Sequence, residues 1–286
     1  MTAPTSPIPG AMIGTDEAAA HQWDAIVIGA GMGGGMAGRR LAEHGLSVLF
    51  VEKGPAGYRN EEQNLRDDLF EPETRQKRGF WPKQIESRLN GTVSHFYAPL
   101  GSGVGGSSVF YASALECPER HDLDEVDGLP HPTGGWPVGY DLFKPYFDET
   151  AKLLSLRGEP DPLAEAHLPL LEPTPMCPAE ETLFEDLRGC GLHPYRTHEG
   201  FRRVPDCLNC IGNKCPRTCK MDGRSAGVEP ALETGRARLL TECTVERLVE
   251  ENGCVARIEA VVDGRRITLK GDTIVLAAGA LHSPRL

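Results

Sequence analysis

The chain contains no apolar stretch near the roughly 20 residues that a helix needs to span a bilayer, so its sequence excludes a membrane span of that kind. Residues 1–22 mix Pro, Thr, Ala and acids, with neither the basic start nor the apolar run of a signal peptide, and they read as a flexible tail. Nowhere do Lys and Arg gather on one face, and 41 acidic against 30 basic side chains leave a formal charge of -11. Nucleic acid is therefore not an expected partner. A disulfide framework is missing too: the nine cysteines are odd in number and unevenly spread, which fits a reducing cytoplasm better than secretion. What remains is a 286-residue polypeptide, 40% hydrophobic, long enough to bury a real core in one large domain or two small ones.

From Trp23 the pattern changes. Ala25-Ile26-Val27-Ile28 is a short apolar run ending in glycines, as a buried parallel strand does. Gly29, Gly31 and Gly34 follow in the order G-x-G-x-x-G, with Gly33 between them. Gly38, Leu41 and Ala42 continue a helical face, Gly45 stops it, and Leu46 to Val51 form a second strand closed by Glu52. In such a unit the first glycine permits a tight turn, the second lets backbone approach a diphosphate, and the third lets helix and sheet pack closely. The helix N-terminus then offers free N–H groups and a positive dipole end to an anion. Glu52, eighteen positions after Gly34, is placed to accept hydrogen bonds from ribose hydroxyls and disfavours a phosphorylated ribose. This motif alone leaves FAD and NAD open.

A second glycine cluster decides for FAD. Gly101-Ser102-Gly103-Val104-Gly105-Gly106-Ser107-Ser108 runs directly into Val109-Phe110-Tyr111, where a flexible linker seldom leads. So bare a loop suits backbone lying against a flat ligand or a phosphate chain. Further along, residues 238–245, 255–262 and 266–269 read as strands with Asp263-Gly264 as a hairpin turn. A last buried strand, 273–276, ends in the small residues Ala277, Ala278 and Gly279, which allow close approach to a cofactor.

With these motifs on the page, the chain resembles the glucose-methanol-choline family of FAD-dependent oxidoreductases over most of 23–286. That family lays a Gly-Gly-Ser-Ser loop over its flavin, matched here by Gly105, Gly106, Ser107 and Ser108, although Tyr111 stands where the family often has Asn. Gly135-Trp136-Pro137, Tyr140 and Pro145-Tyr146-Phe147 are similar to the segment that leaves the FAD domain for the substrate domain. Ala278 and Gly279, with Ser283-Pro284 after them, resemble the return to the dinucleotide domain. The resemblance also implies that Val245 lies by the adenine. It further implies a small-molecule alcohol, sugar or sterol as substrate, oxidised by hydride transfer to flavin, with the electron acceptor left undefined.

The expected fold class is thus α/β: an FAD-binding Rossmann-like domain of the glutathione-reductase type with the start of a substrate domain, truncated. The expected plan is a tail over 1–22, the FAD-binding domain over 23–115 and 226–286, and a partial substrate or cap region with a cysteine cluster over 116–225. That cluster comprises Cys207, Cys210, Cys215 and Cys219, four thiols that could hold zinc or an iron-sulfur cluster or stand as plain structural thiols. Some sugar dehydrogenases of the family carry an iron-sulfur cluster. Flavin-dependent alcohol oxidation needs a base beside the ring, usually histidine. In the family it comes from a C-terminal segment, and none of the nine histidines here matches it, so no catalytic residue is assigned. Two functions follow: the N-terminal half of such an oxidoreductase, whose C-terminal half is missing from this chain, or a non-catalytic nucleotide-binding fragment or scaffold.

Overall fold

Continuous apolar runs such as 25–28 and 48–51 give strands that can be covered on both faces, and they form the centre of the fold. The structure is a computed structural model that describes residues 8, 11–59, 70–205, 207 and 210–286. In chain order the elements are α1 (Thr15–Ala20), β1 (Gln22–Ile28), α2 (Met32–Glu43), β2 (Val48–Val51), α3 (Pro72–Lys77), β3 (Ile85–Leu89) and β4 (Thr92–Phe96). Then come α4 (Tyr140–Leu153), β5 (Leu156–Arg157), α5 (Pro178–Gly189) and β6 (Glu199–Gly200). Last are a π-helix (Gly223–Val228), α6 (Glu229–Glu233), β7 (Ala237–Leu240), β8 (Cys243–Glu251), β9 (Cys254–Val262), β10 (Arg265–Leu276) and α7 (Gly279–His282).

The main sheet has the order β7-β2-β1-β10-β9-β8. Its first four strands run parallel, and β10, β9 and β8 form an antiparallel meander. Ala25, Val27, Val48 and Phe50 point into the core under α2 and α6, whereas Ile26, Ile28, Leu49 and Val51 point into a second core with Trp23 and Ile258. Phe50 fits because position 38 is glycine: a Cβ there would stand 2.3 Å from the ring. Burying a side chain of this size is worth about 1.5–3 kcal/mol. No helix among the described residues is long and apolar enough to cross a membrane.

The structure departs from the sequence reading at several places. Residues 11–22, expected as a loose tail, are built in: Ala11, Ile13 and Ala18 are buried, and Leu239 N–H donates to Ala11 O at 2.9 Å while Ile13 N–H donates to Leu239 O at 3.1 Å. Their apolar side chains and backbone cover the edge of β7, which an exposed sheet would otherwise leave unpaired. Residues 1–7, 9 and 10 of that expected tail lie outside the described residues. The run 238–245 is broken by a turn in which Glu242 has φ 53°, and 266–269 joins 273–276 as one strand, β10.

By contacts the chain divides into two units, Met1–Ala112 with Asp206–Leu286, and Ser113–Pro205. Residues 206–225, grouped by sequence with the middle region, therefore belong to the first unit. Lys220 is one reason, since its ammonium is bonded to Tyr111 O at 3.1 Å and Asn213 O at 2.6 Å. The second unit is held by a polar knot at Arg120, which bonds Asp124, Asp141 and Glu165, and by a small core including Tyr140, Leu154 and Phe201.

Candidate functional site: a glycine-lined cleft at the sheet's carboxyl end

The first unit brings three glycine segments together where β1 ends. Gly29 leaves β1 at φ 100°, and a Cβ on it would lie 2.4 Å from Ala277 O and 3.1 Å from Ala278 Cα, so the turn after β10 packs directly on this turn. At Gly34 a Cβ would stand 2.0 Å from Gly29 O, the close helix-to-strand packing expected of the third glycine. Gly31 is the N-cap of α2; it has no side-chain cap, and the first turn holds no acid. The first N–H groups of this 12-residue helix are thus left for a ligand. Gly33 is exposed with open space before it.

The second loop crosses the first. Gly105 N–H donates to Ala30 O at 2.7 Å, and a Cβ on Gly106, itself at φ 55°, would lie 3.0 Å from Gly31 Cα. The two serines are engaged within the loop. Ser107 accepts the Gly101 N–H at 2.8 Å and keeps its hydroxyl proton to donate. Ser108 donates to Gly105 O at 2.6 Å and accepts the Gly223 N–H at 2.8 Å. Gly279 begins α7 at φ 77° in open space, and Val245 lies on β8, two residues past Cys243, whose N–H bonds Glu52 O at 3.0 Å.

Sequence reading missed the third segment. The π-helix Gly223–Val228 is buried throughout and packs on α2: a Cβ at Gly223 would lie 2.7 Å from Met32 N, and one at Gly227 would lie 2.5 Å from Gly35 C. The available signal was spacing. Gly31 and Gly35 in one helix and Gly223 and Gly227 in another are small residues four apart, the pattern that lets two backbones touch. Single π-turns of this kind are frequent at functional sites. Asp222, buried, caps this helix by accepting the Ser225 N–H at 2.7 Å, and burial pushes its carboxyl up.

Glu52 is buried and faces inward. Its Oε1 accepts N–H groups of Gly54 at 2.8 Å and Gly103 at 3.2 Å, and its Oε2 accepts the Ala30 N–H at 2.9 Å. Burial pushes this carboxyl up, and the three N–H donors work against that. One acceptor position stays open on Oε2, enough for a single ribose hydroxyl. An uncapped helix start, bare glycine backbone and a nearby carboxylate fit the diphosphate and ribose of a dinucleotide. A space of about 20 Å³ lined by Gly103, Asp222 and Arg224 holds no more than a water.

The four cysteines of the cluster are near neighbours. Cys215 and Cys219 sulfurs stand 3.4 Å apart, and Cys207 and Cys219 sulfurs 3.8 Å. Burial pushes the Cys210 and Cys219 thiols up to about 11 and about 12, whereas burial of Cys215 is outweighed by the N–H groups of Lys220, Arg217 and Cys219, which lower it. Among the described residues no group of three or more His, Cys, Asp or Glu side chains is arranged to hold a metal ion. The expected zinc or iron-sulfur cluster gains no support here: the Cys219 sulfur lies against those of Cys207 and Cys215. Most of the histidines are exposed or hydrogen-bonded. His198, in the loop before β6, is buried with Nε2 2.9 Å from Glu159 O and Nδ1 2.9 Å from Glu116, while His95 lies on the exposed β4 facing Glu86.

A parallel sheet with a glycine-bare, uncapped helix start and a carboxylate at the next strand's end defines a dinucleotide-binding α/β protein. The family model described as "GMC oxidoreductase" matches residues 23–286, and the chain belongs to that family. Paromamine 6′-oxidase of Streptomyces fradiae is 25% identical over 92% of this chain and 49% of that protein. A 2-methyl-1,2-propanediol dehydrogenase of Mycolicibacterium austroafricanum is 29% identical over 49% of the chain and 25% of its own length. Among solved structures, an FAD-dependent oxidoreductase of Chaetomium thermophilum superposes with a TM-score of 0.61 at 18% identity, covering 93% of this chain and 47% of that one. The chain spans about half the length of the relatives it matches along most of its own length.

Proposed function

We propose that the chain is the FAD-binding part of an oxidoreductase that takes hydride from the CH–OH group of a small alcohol, sugar or sterol. One observation carries the reading: Gly31, Gly106 and Gly223 converge on the uncapped start of α2, beside Glu52. Family membership and the FAD-dependent neighbour support FAD over NAD, and so does the second glycine loop, for which a nicotinamide dinucleotide gives no role. Bound there, the flavin supplies a hydride acceptor.

The chain's own groups do the holding. The first N–H groups of α2 take the diphosphate, Oε2 of Glu52 a ribose hydroxyl, and the Gly105–Gly106 backbone the flat ring, with Val245, Ala278 and Gly279 flanking. Nine free cysteines suit a reducing compartment, the cytoplasm. The rest of a relative-length protein supplies the base and most of the substrate site. Purification followed by a visible spectrum and titration with FAD, NAD and NADP tests the reading. Retention of FAD with its absorption bands is expected. Preference for a nicotinamide nucleotide, or no nucleotide binding at all, overturns it.

A further inference from the structure

Cys215 and Cys219 hold their sulfurs 3.4 Å apart; both thiols are free and both side chains are buried. Pro216, Arg217 and Thr218 between them belong to no helix or strand, so no regular ladder opposes the further approach of roughly 1.4 Å that a disulfide needs. The space of about 20 Å³ beside Gly103 and Arg224 is lined by Cys215 as well. It takes a water, and glutathione or the thiol of a second protein does not fit, whereas a peroxide that places one oxygen there reaches Cys215. The acidity of the sulfur points the same way. N–H groups of Lys220, Arg217 and Cys219 lower the Cys215 thiol against its burial, while burial pushes Cys117, Cys210, Cys219 and Cys243 up. The thiolate is the form that attacks a peroxide. In a reducing compartment a disulfide is usually transient, and serves catalysis or redox sensing.

We infer that Cys215 and Cys219 are a peroxide-reactive dithiol that closes reversibly to a disulfide, with Cys215 as the attacking sulfur and Cys219 as the resolving one. The Cys215 thiolate attacks one oxygen of hydrogen peroxide; an S–O bond forms, the O–O bond breaks, and hydroxide leaves with the electron pair, to be protonated to water. The Cys215 sulfenic acid is then attacked by Cys219. An S–S bond forms, the S–O bond breaks, and the departing hydroxide leaves as water with the Cys219 proton. Two thiols and one peroxide thus give one disulfide and two waters. A dithiol reductant reverses the closure by thiol–disulfide exchange. Cys207, half-buried with its sulfur 3.8 Å from that of Cys219, competes for the same partner from a greater distance.

The test uses the 286-residue chain, analysed for metal, reduced with a phosphine, freed of reductant and treated with equimolar hydrogen peroxide. Remaining thiols are then alkylated and the peptides mapped by mass spectrometry. A Cys215–Cys219 cross-link that dithiothreitol reverses is expected, with the exposed Cys177, Cys190 and Cys254 still alkylated. This map needs no variant to fold, and no step of it depends on FAD. Cys219→Ser is expected to stop at the Cys215 sulfenic acid, which dimedone traps. Cys215→Ser is expected to slow peroxide consumption roughly tenfold or more, because a thiol without its thiolate barely reacts. Cys254→Ser should leave the cross-link unchanged. Oxidation of the exposed cysteines while Cys215 and Cys219 stay alkylated overturns the inference. So does a Cys207–Cys219 link in place of Cys215–Cys219, or iron or zinc held by these sulfurs in the purified chain.

Discussion

The carboxylate of Glu52 accepts the backbone N–H of Gly103 across 51 positions of sequence, at 3.2 Å, and so ties the end of β2 to the second glycine loop. The same side chain also bonds Ala30 and Gly54, which makes it the joint between both glycine loops and the second strand. A residue expected to serve the ligand thus also builds the site.

Glu52→Ala is therefore expected to destabilise the protein even without FAD. Leaving buried donors unsatisfied costs about 1–3 kcal/mol each, so a loss of about 3 kcal/mol in chemical denaturation is expected, together with weaker FAD retention. Denaturation of the ligand-free variant at wild-type midpoint would show that the three N–H bonds carry no stability.

The contrast between Glu52 and Gly223 shows what the sequence could reveal. Local chemistry was legible: β1, the glycine turn, α2 and β2 follow one another within thirty residues, and Asp263-Gly264 makes the expected tight turn with φ 49° and 77°. Contacts between distant segments were not. The four-residue spacing of Gly223 and Gly227 marks a small-residue face but does not say that Gly31 and Gly35 lie against it, and Ala11 and Ile13 give no local sign that β7 has an edge to cover. The four cysteines were visible as a cluster, but their protonation depends on burial and N–H donors that spacing does not encode.

Gly227→Val tests the second of those contacts. Its side chain would enter space held by the Gly35 backbone, 2.5–2.9 Å from a Cβ, and neither backbone can yield without moving a helix. Overpacking of this kind costs about 1–3 kcal/mol. A lowered melting temperature and reduced FAD affinity are expected together, because the shift reaches Gly223 and Gly31. Loss of stability with unchanged FAD affinity would separate the π-helix from the cofactor site.

Glu229 gives a pH prediction. Burial raises its carboxyl, but Arg59 and Arg224 beside it outweigh burial and hold it below the usual carboxylate value of 4.5. A depressed folded value means stability that is fully present above pH 4.5 and lost as pH falls through the lowered value. Glu229→Gln should remove that part of the acid slope. It should also cost about 3–5 kcal/mol near neutral pH, the penalty for stranding a buried charge partner. Parallel pH-stability curves for variant and wild type below pH 4.5 would refute the assignment.

The last prediction concerns chemistry: a polypeptide of residues 1–286 is expected to bind FAD without oxidising alcohols at an enzymatic rate. Hydride leaves a carbinol carbon readily only as its hydroxyl proton is removed, and a positioned base is worth roughly a hundred- to ten-thousand-fold. The histidines offer little for that task. His198 has both ring nitrogens beside oxygen acceptors, His95 and His121 are exposed and face Glu86 and Asp122, and the His282 imidazole is held down by burial, Lys53 and Arg285. The chain spans about half the length of these relatives, and groups that orient substrate and exclude water add to the rate beyond the base itself. The measurement is dye reduction with excess FAD and a panel of sugars, sterols and simple alcohols. Turnover of about one per second, the low end of ordinary enzymes, would place a working base within this chain, and substitution of His282 would be the first step in finding it.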